Sequence, residues 1–276
     1  MMLDDDTFLI KPSVRALLGH LNPSEAVYVG NAIGDFKGRF AHGGSAVILS
    51  HAAMEQLFER NQPVVEQAYL DSMTETWGDK LVATTLMKIG IYLDERFSHF
   101  FNGERPLITR VLPDRFCSPL VSFHGLAEPA QMADTAAMFR GLDRPVLRGE
   151  LWEIYGQPAL DAFSTNPIRR GRDHVGPGDA APAGHGSVER CVAACESQAD
   201  CLAWTWDKAS ATCRTSRWFI IGDEPEGKYS GLNVARVRLL RDGCSNRTIL
   251  RESHTRELPV LGGGGSIAQA FAVDGR

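Results

Sequence analysis

Asp4, Asp5 and Asp6 stand together between apolar neighbours, Leu3 on one side and Phe8-Leu9 just beyond Thr7 on the other. Carboxylates two residues apart at the end of a buried strand can grip one hard divalent cation, and that cation can hold a diphosphate leaving group. This is the chemistry of transfer from a sugar nucleotide; the same composition also suits a solvated turn or the start of a helix. Asp79, in Trp77-Gly78-Asp79, precedes a predicted helix, where it serves either as a general base or as an ordinary N-cap. His124 offers a nitrogen ligand, or is a hydrogen-bonded core or surface histidine. Gly43 and Gly44 allow a sugar or phosphate to approach the backbone, or form a tight turn into a strand. Trp77 stacks on a sugar face or fills core.

The elements that must position these groups alternate in type. Ala26 to Val29 and Ala46 to Leu49 are short apolar runs bounded by Gly, Pro and Ser, as buried strands are. Ser50 can cap a helix through Met54, Leu57 and Phe58. Lys80 to Ile89 places Val82, Leu86 and Ile89 on one face and stops at Gly90. Met132, Ala136 and Phe139 define a further helix that ends at Gly141. Up to residue 168 this is α/β architecture. From Arg169 to Gly186 the composition turns to Gly, Pro, Ala and charge, which predicts a linker. A small second unit, 187–243, follows: Ser187 caps a helix Val188 to Ser197, and the alternation Ala235-Arg236-Val237-Arg238-Leu239 predicts a closing strand. The remainder, 244–276, reads as a tail, flexible after about residue 261 with its Gly262 to Gly265 run.

Bulk properties narrow the function. Of the 276 residues, 43% are hydrophobic and 23% charged, as in proteins that bury a core. A formal net charge of −5, with Lys and Arg scattered, leaves no footprint for nucleic acid or an anionic membrane. No apolar run is long enough to span a bilayer, and no targeting signal opens the chain. Cys191, Cys195, Cys201 and Cys213 crowd one segment, with Cys117 and Cys244 outside it, and this usage points to an oxidising compartment. Asn246-Arg247-Thr248 is a glycosylation sequon. The four clustered cysteines lack the C-x-x-C knuckles of structural zinc sites, so disulfides are expected.

Asp4-Asp5-Asp6-Thr7, Tyr28-Val29-Gly30, Phe40-Ala41-His42-Gly43-Gly44-Ser45-Ala46 and Trp77-Gly78-Asp79, followed by Ser122-Phe123-His124, resemble in order and spacing the family 31 glycosyltransferases, the group of Fringe and the core 1 galactosyltransferases. The resemblance covers about the first 165 residues. It implies a GT-A fold and inverting transfer of a hexose, of galactose or N-acetylglucosamine type, from a UDP-sugar to a hydroxyl of a glycan or glycoprotein with β1,3 linkage. It also implies Mn²⁺ held by Asp6, with Asp4 and His124, donor contacts from Asp5, Gly43, Gly44 and Trp77, and Asp79 as the base. Relatives often carry a second acid where this chain has Gly78, which loosens the base assignment. Full-length relatives are type II membrane proteins of the Golgi lumen, and in them the uridine site precedes the acidic triplet. By that measure the chain is an N-terminally truncated GT-A domain, with an exposed parallel-sheet edge and impaired transfer expected.

The second unit resembles a PAN/apple module of α+β type, of the kind fungal family 31 transferases often append. That resemblance implies the bridges Cys191–Cys213 and Cys195–Cys201 and a surface that binds carbohydrate or protein. Cys117 and Cys244 are left as a candidate cross-domain pair. A non-catalytic protein acting through this module alone is the alternative function.

Overall fold

The structure is a computed structural model that describes residues 1–35, 38–177, 181–223 and 226–244; every structural statement below concerns these. Asn246 and the tail lie outside them. The protein is a mixed α/β chain with three disulfides and small sheets.

The first part runs β1 (Phe8–Leu9), α1 (Lys11–Leu18), β2 (Tyr28–Gly30), β3 (Ala32–Asp35), β4 (Gly38–Ala41), β5 (Val47–Leu49), α2 (His51–Phe58), α3 (Gln62–Asp71), α4 (Gly78–Met87), β6 (Ser122–Phe123), α5 (Pro129–Met138), α6 (Leu151–Ile154) and α7 (Leu160–Thr165). Its strands pair antiparallel as β1 with β6, β2 with β5 and β3 with β4. The parallel-sheet edge expected from the resemblance is therefore not seen among the described residues. Ser50 Oγ accepts from Ala53 N (3.1 Å) and starts α2, which buries Ala53 and Leu57. Gly90 and Gly141 take φ of +80° and +79° just beyond α4 and α5, a backbone state that L side chains resist.

The second part holds β7 (Arg169–Arg170), β8 (Ala181–His185), α8 (Val188–Ser197), β9 (Ala203–Asp207), β10 (Thr212–Ser216), β11 (Lys228–Leu232) and α9 (Val234–Cys244). Its strands form one antiparallel sheet in the order β7-β11-β9-β10-β8. Ser187 caps α8, whose buried Cys191 and Cys195 bond to Cys213 on β10 and to Cys201, the pairs implied by the resemblance. Cys117 bonds to Cys244 at the end of α9. Three disulfides are the mark of an extracellular or secretory-pathway protein. Among the described residues no helix is long and apolar enough to cross a membrane.

Two expectations are corrected. The stretch 169–186, read as linker, supplies both edge strands of this sheet, β7 and β8, and buries Asp173, His174 and Val175. Gly171 and Gly176 take positive φ between the pairing segments, while Pro182 and Gly184 lie within β8 itself, so this composition does not make a free tether. Ala235 to Leu239, read as a strand, lies in helix α9. Five alternating residues fit either period, and burial decides: Val234, Val237, Leu240 and Cys244 form a helical stripe on the core, while Leu239, which a strand would have buried beside Val237, is 73% exposed. Arg236 leaves that stripe to donate to the carbonyls of Cys195 (3.0 Å), Cys201 (2.8 Å) and Glu196 (3.0 Å) at the end of α8.

One hydrophobic cluster joins the two parts, with Ile10, Phe123, Leu151, Trp152 and Phe163 packed in the same core as Val175, Leu202, Phe219, Leu232 and Val237. A mutual backbone pair between Val111 and Phe219 closes the seam.

Candidate metal centre and its surroundings

The acidic triplet is a turn rather than a strand end. Met2 exchanges backbone hydrogen bonds with Val47 (2.8 Å each way), the chain turns through Asp4, Asp5 and Asp6, and β1 begins at Phe8. Pairing of Phe8 with Phe123 sets His124, the residue after β6, against this turn. Leu126 N donates to Asp6 O (3.1 Å), His124 N donates to Glu104 O (3.3 Å), and Thr7 Oγ1 donates to Gly44 O (2.9 Å). Three segments distant in sequence are thus held around one point.

At that point Asp4, Asp6 and His124 converge, each offering one ligand atom within 4.8 Å of the others. His124 Nε2 lies 3.2 Å from Asp6 Oδ1 and 3.8 Å from Asp4 Oδ2. The shorter contact lacks hydrogen-bond alignment, so Asp6 Oδ1 is buried without a hydrogen-bond partner. A buried carboxylate oxygen left bare costs free energy unless something else meets it. Two oxygens and a nitrogen with converging lone pairs fit a divalent cation that accepts mixed O/N ligands. Asp5 is exposed at the tip of the turn.

Gly43 and Gly44 have separate reasons to lack a side chain. Gly44 lies in the short 3₁₀ turn Gly43–Ser45 that leads into β5, and a Cβ on it would stand 2.3 Å from the His124 ring, so this glycine also seats the histidine. A Cβ on Gly43 would lie 3.6 Å from Asp4 Oδ1 and 3.8 Å from Asp79 Oδ2, which puts this residue between the two carboxylates. Asp79 sits inside the first turn of α4 and is not its N-cap, a position taken by Trp77 without a side-chain bond. Its Oδ2 accepts from Gly43 N (3.0 Å) and its Oδ1 from Lys80 N (2.8 Å), so two amides fix the carboxylate while lone pairs remain on both oxygens. Trp77 is 56% exposed and meets Phe40 edge-on at 6.4 Å, so it does not fill core.

The neighbourhood includes groups that sequence reasoning missed. His42 stands edge-on to His124, ring centroids 5.1 Å apart. Burial, and then the charge of His124, lower its pKa, while Asp79, Asp4 and Asp6 act in the opposite sense. Its Nδ1 is 2.9 Å from Ser45 Oγ, which accepts from Asn31 Nδ2 (3.1 Å). Tyr28, whose hydroxyl accepts from Ala41 N (2.8 Å), is pushed up to about 12 by burial, with Asp79 adding to the effect. The one cue to His42 in the sequence was its place directly before Gly43-Gly44. Ala46 closes the same loop at φ 75°, ψ 139°, a region nearly reserved for glycine.

Comparisons with protein-family models, with curated proteins and with solved structures find no match to this chain.

Proposed function

We propose that this protein is a metal-dependent inverting glycosyltransferase, passing a galactose- or N-acetylglucosamine-type hexose from a UDP-sugar to a glycan or glycoprotein hydroxyl with β1,3 linkage. The observation that carries the reading is the meeting of Asp4, Asp6 and His124 around a buried, unpaired Asp6 oxygen, with Asp79 one glycine away. Asp4, Asp6 and His124 would hold Mn²⁺, which when bound supplies the positive charge that a diphosphate leaving group needs. Asp79 takes the proton from the acceptor hydroxyl as its oxygen bonds to the anomeric carbon. The bond from that carbon to the diphosphate oxygen breaks, and its electron pair leaves with UDP. The amides of Gly43 and Lys80 hold the Asp79 carboxylate in place, so the base works by position. Exposed Trp77, two residues before Asp79, offers a ring face for the acceptor sugar, and exposed Asp5 a carboxylate for the donor.

In the same reading the second part is a PAN/apple module that binds carbohydrate or protein, since disulfides bridge α8 to β10 and to the segment just before β9. The setting is the Golgi lumen. The test is manganese binding by electron paramagnetic resonance, with transfer assayed from UDP-galactose and UDP-N-acetylglucosamine. One Mn²⁺ is expected per chain, lost in Asp6→Asn and in His124→Ala. Asp79→Asn keeps the ion and loses transfer by about 10³-fold, as removal of a general base does. A folded protein that binds no Mn²⁺ would leave the cluster without this role, and the second part as the seat of a non-catalytic binding function.

A further inference from the structure

A buried relay behind the acidic cluster has no part in holding a metal or in moving the acceptor proton. Ser45 is fully buried, and its hydroxyl accepts from Asn31 Nδ2 (3.1 Å). That leaves its own proton one acceptor among the described residues, His42 Nδ1 at 2.9 Å. A buried hydroxyl finds an acceptor for its proton, so Nδ1 carries a lone pair and the imidazole is neutral with its hydrogen on Nε2. The opposite tautomer would strand the Ser45 proton. Gly103 seals the relay, for a Cβ there would stand 2.9 Å from Ser45 Oγ, 3.3 Å from His42 Nδ1 and 3.4 Å from Asn31 Nδ2. The His42 backbone is fixed as well, its N–H donating to Asn31 O at 2.9 Å.

The outward nitrogen is different. His42 Nε2 has no hydrogen-bond partner among the described residues, and the ring is only half-buried. The next residue in the chain, Gly43, is the one that separates Asp4 from Asp79. The His42 ring meets His124 edge-on and lies within reach of the charges of Asp79, Asp4 and Asp6, so it borders the space between the metal-ligating pole and the base, where the proposed reaction would put the transferred sugar. A tautomer fixed from behind by a sealed polar relay, with its free N–H beside that position, is the arrangement of a ligand-reading group.

We infer that His42 is a sugar-binding residue of this site, presenting Nε2–H to a hydroxyl of the transferred hexose, with Asn31, Ser45 and Gly103 as the residues that position it. The inference rests on the proposed transferase reading for its ligand, and on the relay alone for its tautomer.

The two parts are separated by nuclear magnetic resonance of ¹⁵N-labelled protein with diamagnetic Mg²⁺ in place of Mn²⁺. Long-range imidazole spectra of the free protein should show His42 protonated on Nε2 alone, and Ser45→Ala or Gly103→Ala should mix the tautomers. A His42 protonated on Nδ1 overturns the inference whatever the protein does. The His42 Nε2 signal should then move on adding UDP-galactose or UDP-N-acetylglucosamine, and not with UDP. Equal shifts with UDP and the sugar nucleotides would leave the transferase reading standing and remove the sugar contact. No binding of any of these nucleotides would bring down both. In transfer assays His42→Asn, which loses the outward donor, should raise the KM for UDP-sugar about tenfold. His42→Gln, whose amide reaches the Nε2 position, should stay within about threefold of wild type, and Mn²⁺ binding should be unchanged in both. Equal KM values for Asn and Gln would refute the donor role.

Discussion

Asp173 and Asp6 are both carboxylates withdrawn from water, and the protein treats them in opposite ways. Asp173, in the seam before β8, accepts from Lys228 Nζ (2.7 Å), Arg214 Nη2 (3.1 Å), Thr205 Oγ1 (2.8 Å) and the amides of Gly176 (2.9 Å) and Val175 (3.2 Å). Burial would raise its pKa, but the Lys228 ammonium, the Gly176 amide and the Thr205 hydroxyl outweigh that and hold it at about 2. Asp6 Oδ1 has a misaligned histidine and a second carboxylate nearby, and no hydrogen bond. Charge in the second part is spent on holding strands together. At Asp6 the carboxylate oxygen is left without a hydrogen bond, and under the proposed reading that opening is where a cation would be held.

The largest expected effect reads the contrast directly. Asp173→Ala strands Arg214 and Lys228, partly buried, without their anion, and should destabilise the fold by about 3 kcal/mol, because breaking a buried pair leaves uncompensated charge. Asp6→Asn should cost less than about 0.5 kcal/mol or stabilise slightly, since it relieves repulsion with Asp4 and removes no hydrogen bond from Asp6 Oδ1. Urea unfolding of both variants checks the pair. Equal losses would erase the distinction between the two carboxylates.

His174 extends the comparison to pH. It is wholly buried against Trp152 and Phe163, its Nδ1 donates to the carbonyls of Ile220 (3.2 Å) and Ile221 (3.1 Å), and its Nε2 has no partner. Burial pushes its pKa down to about 4, more than the two carbonyls restore. Between the unfolded value near 6.5 and about 4, the unfolded chain binds a proton that the folded one refuses. Stability from this group is therefore whole above pH 6.5 and drains away as pH falls to 4, by roughly 3 kcal/mol at most. His174→Phe should flatten the unfolding free energy between pH 6.5 and 5 relative to wild type. His42, whose pKa is also lowered by burial and by the charge of His124 but opposed by Asp79, Asp4 and Asp6, leans the same way, so His42→Gln should flatten the slope by less than His174→Phe does. A His174→Phe slope matching wild type would show that the seam does not sense acid.

Local signals made α2 and α8 legible, for Ser50 and Ser187 announce them, and the two bridges of α8 were those implied by the resemblance of its segment. The seam was not legible, because Gly and Pro signal breaks, and here Pro182 and Gly184 are carried inside edge strand β8, where a missing donor is tolerated. Nor was α9, where five residues cannot distinguish the two periods. In the site, Asp4, Asp6, Asp79 and His124 could be picked out from three short motifs. The relay of Asn31, Ser45 and Gly103 could not, since its members meet only when β2, β5 and the loop after Phe101 pack together. Gly44 has a further role that its sequence context did not announce: its missing side chain makes room for His124.

The smallest expected effect tests whether strain, like unpaired charge, is kept on the site side. Ala46 ends the loop of His42 to Ser45 at φ 75°, ψ 139°, fully buried, with its amide bonded to Gly43 O (3.0 Å). An L-residue there stores roughly 1–3 kcal/mol that glycine would release. Ala46→Gly also loses a buried methyl, about 0.8 kcal/mol, and gives the unfolded chain more freedom, about 0.5–1 kcal/mol. These partly offset one another, so the net change should fall between about 1 kcal/mol lost and about 2 kcal/mol gained. Ala53, equally buried but in relaxed helix α2, has no strain to release, and Ala53→Gly should cost about 1.5–2 kcal/mol. The difference between the two substitutions measures the strain at Ala46. If both lose the same amount, the loop is relaxed, and the open acidic cluster beside it stands without a strained frame.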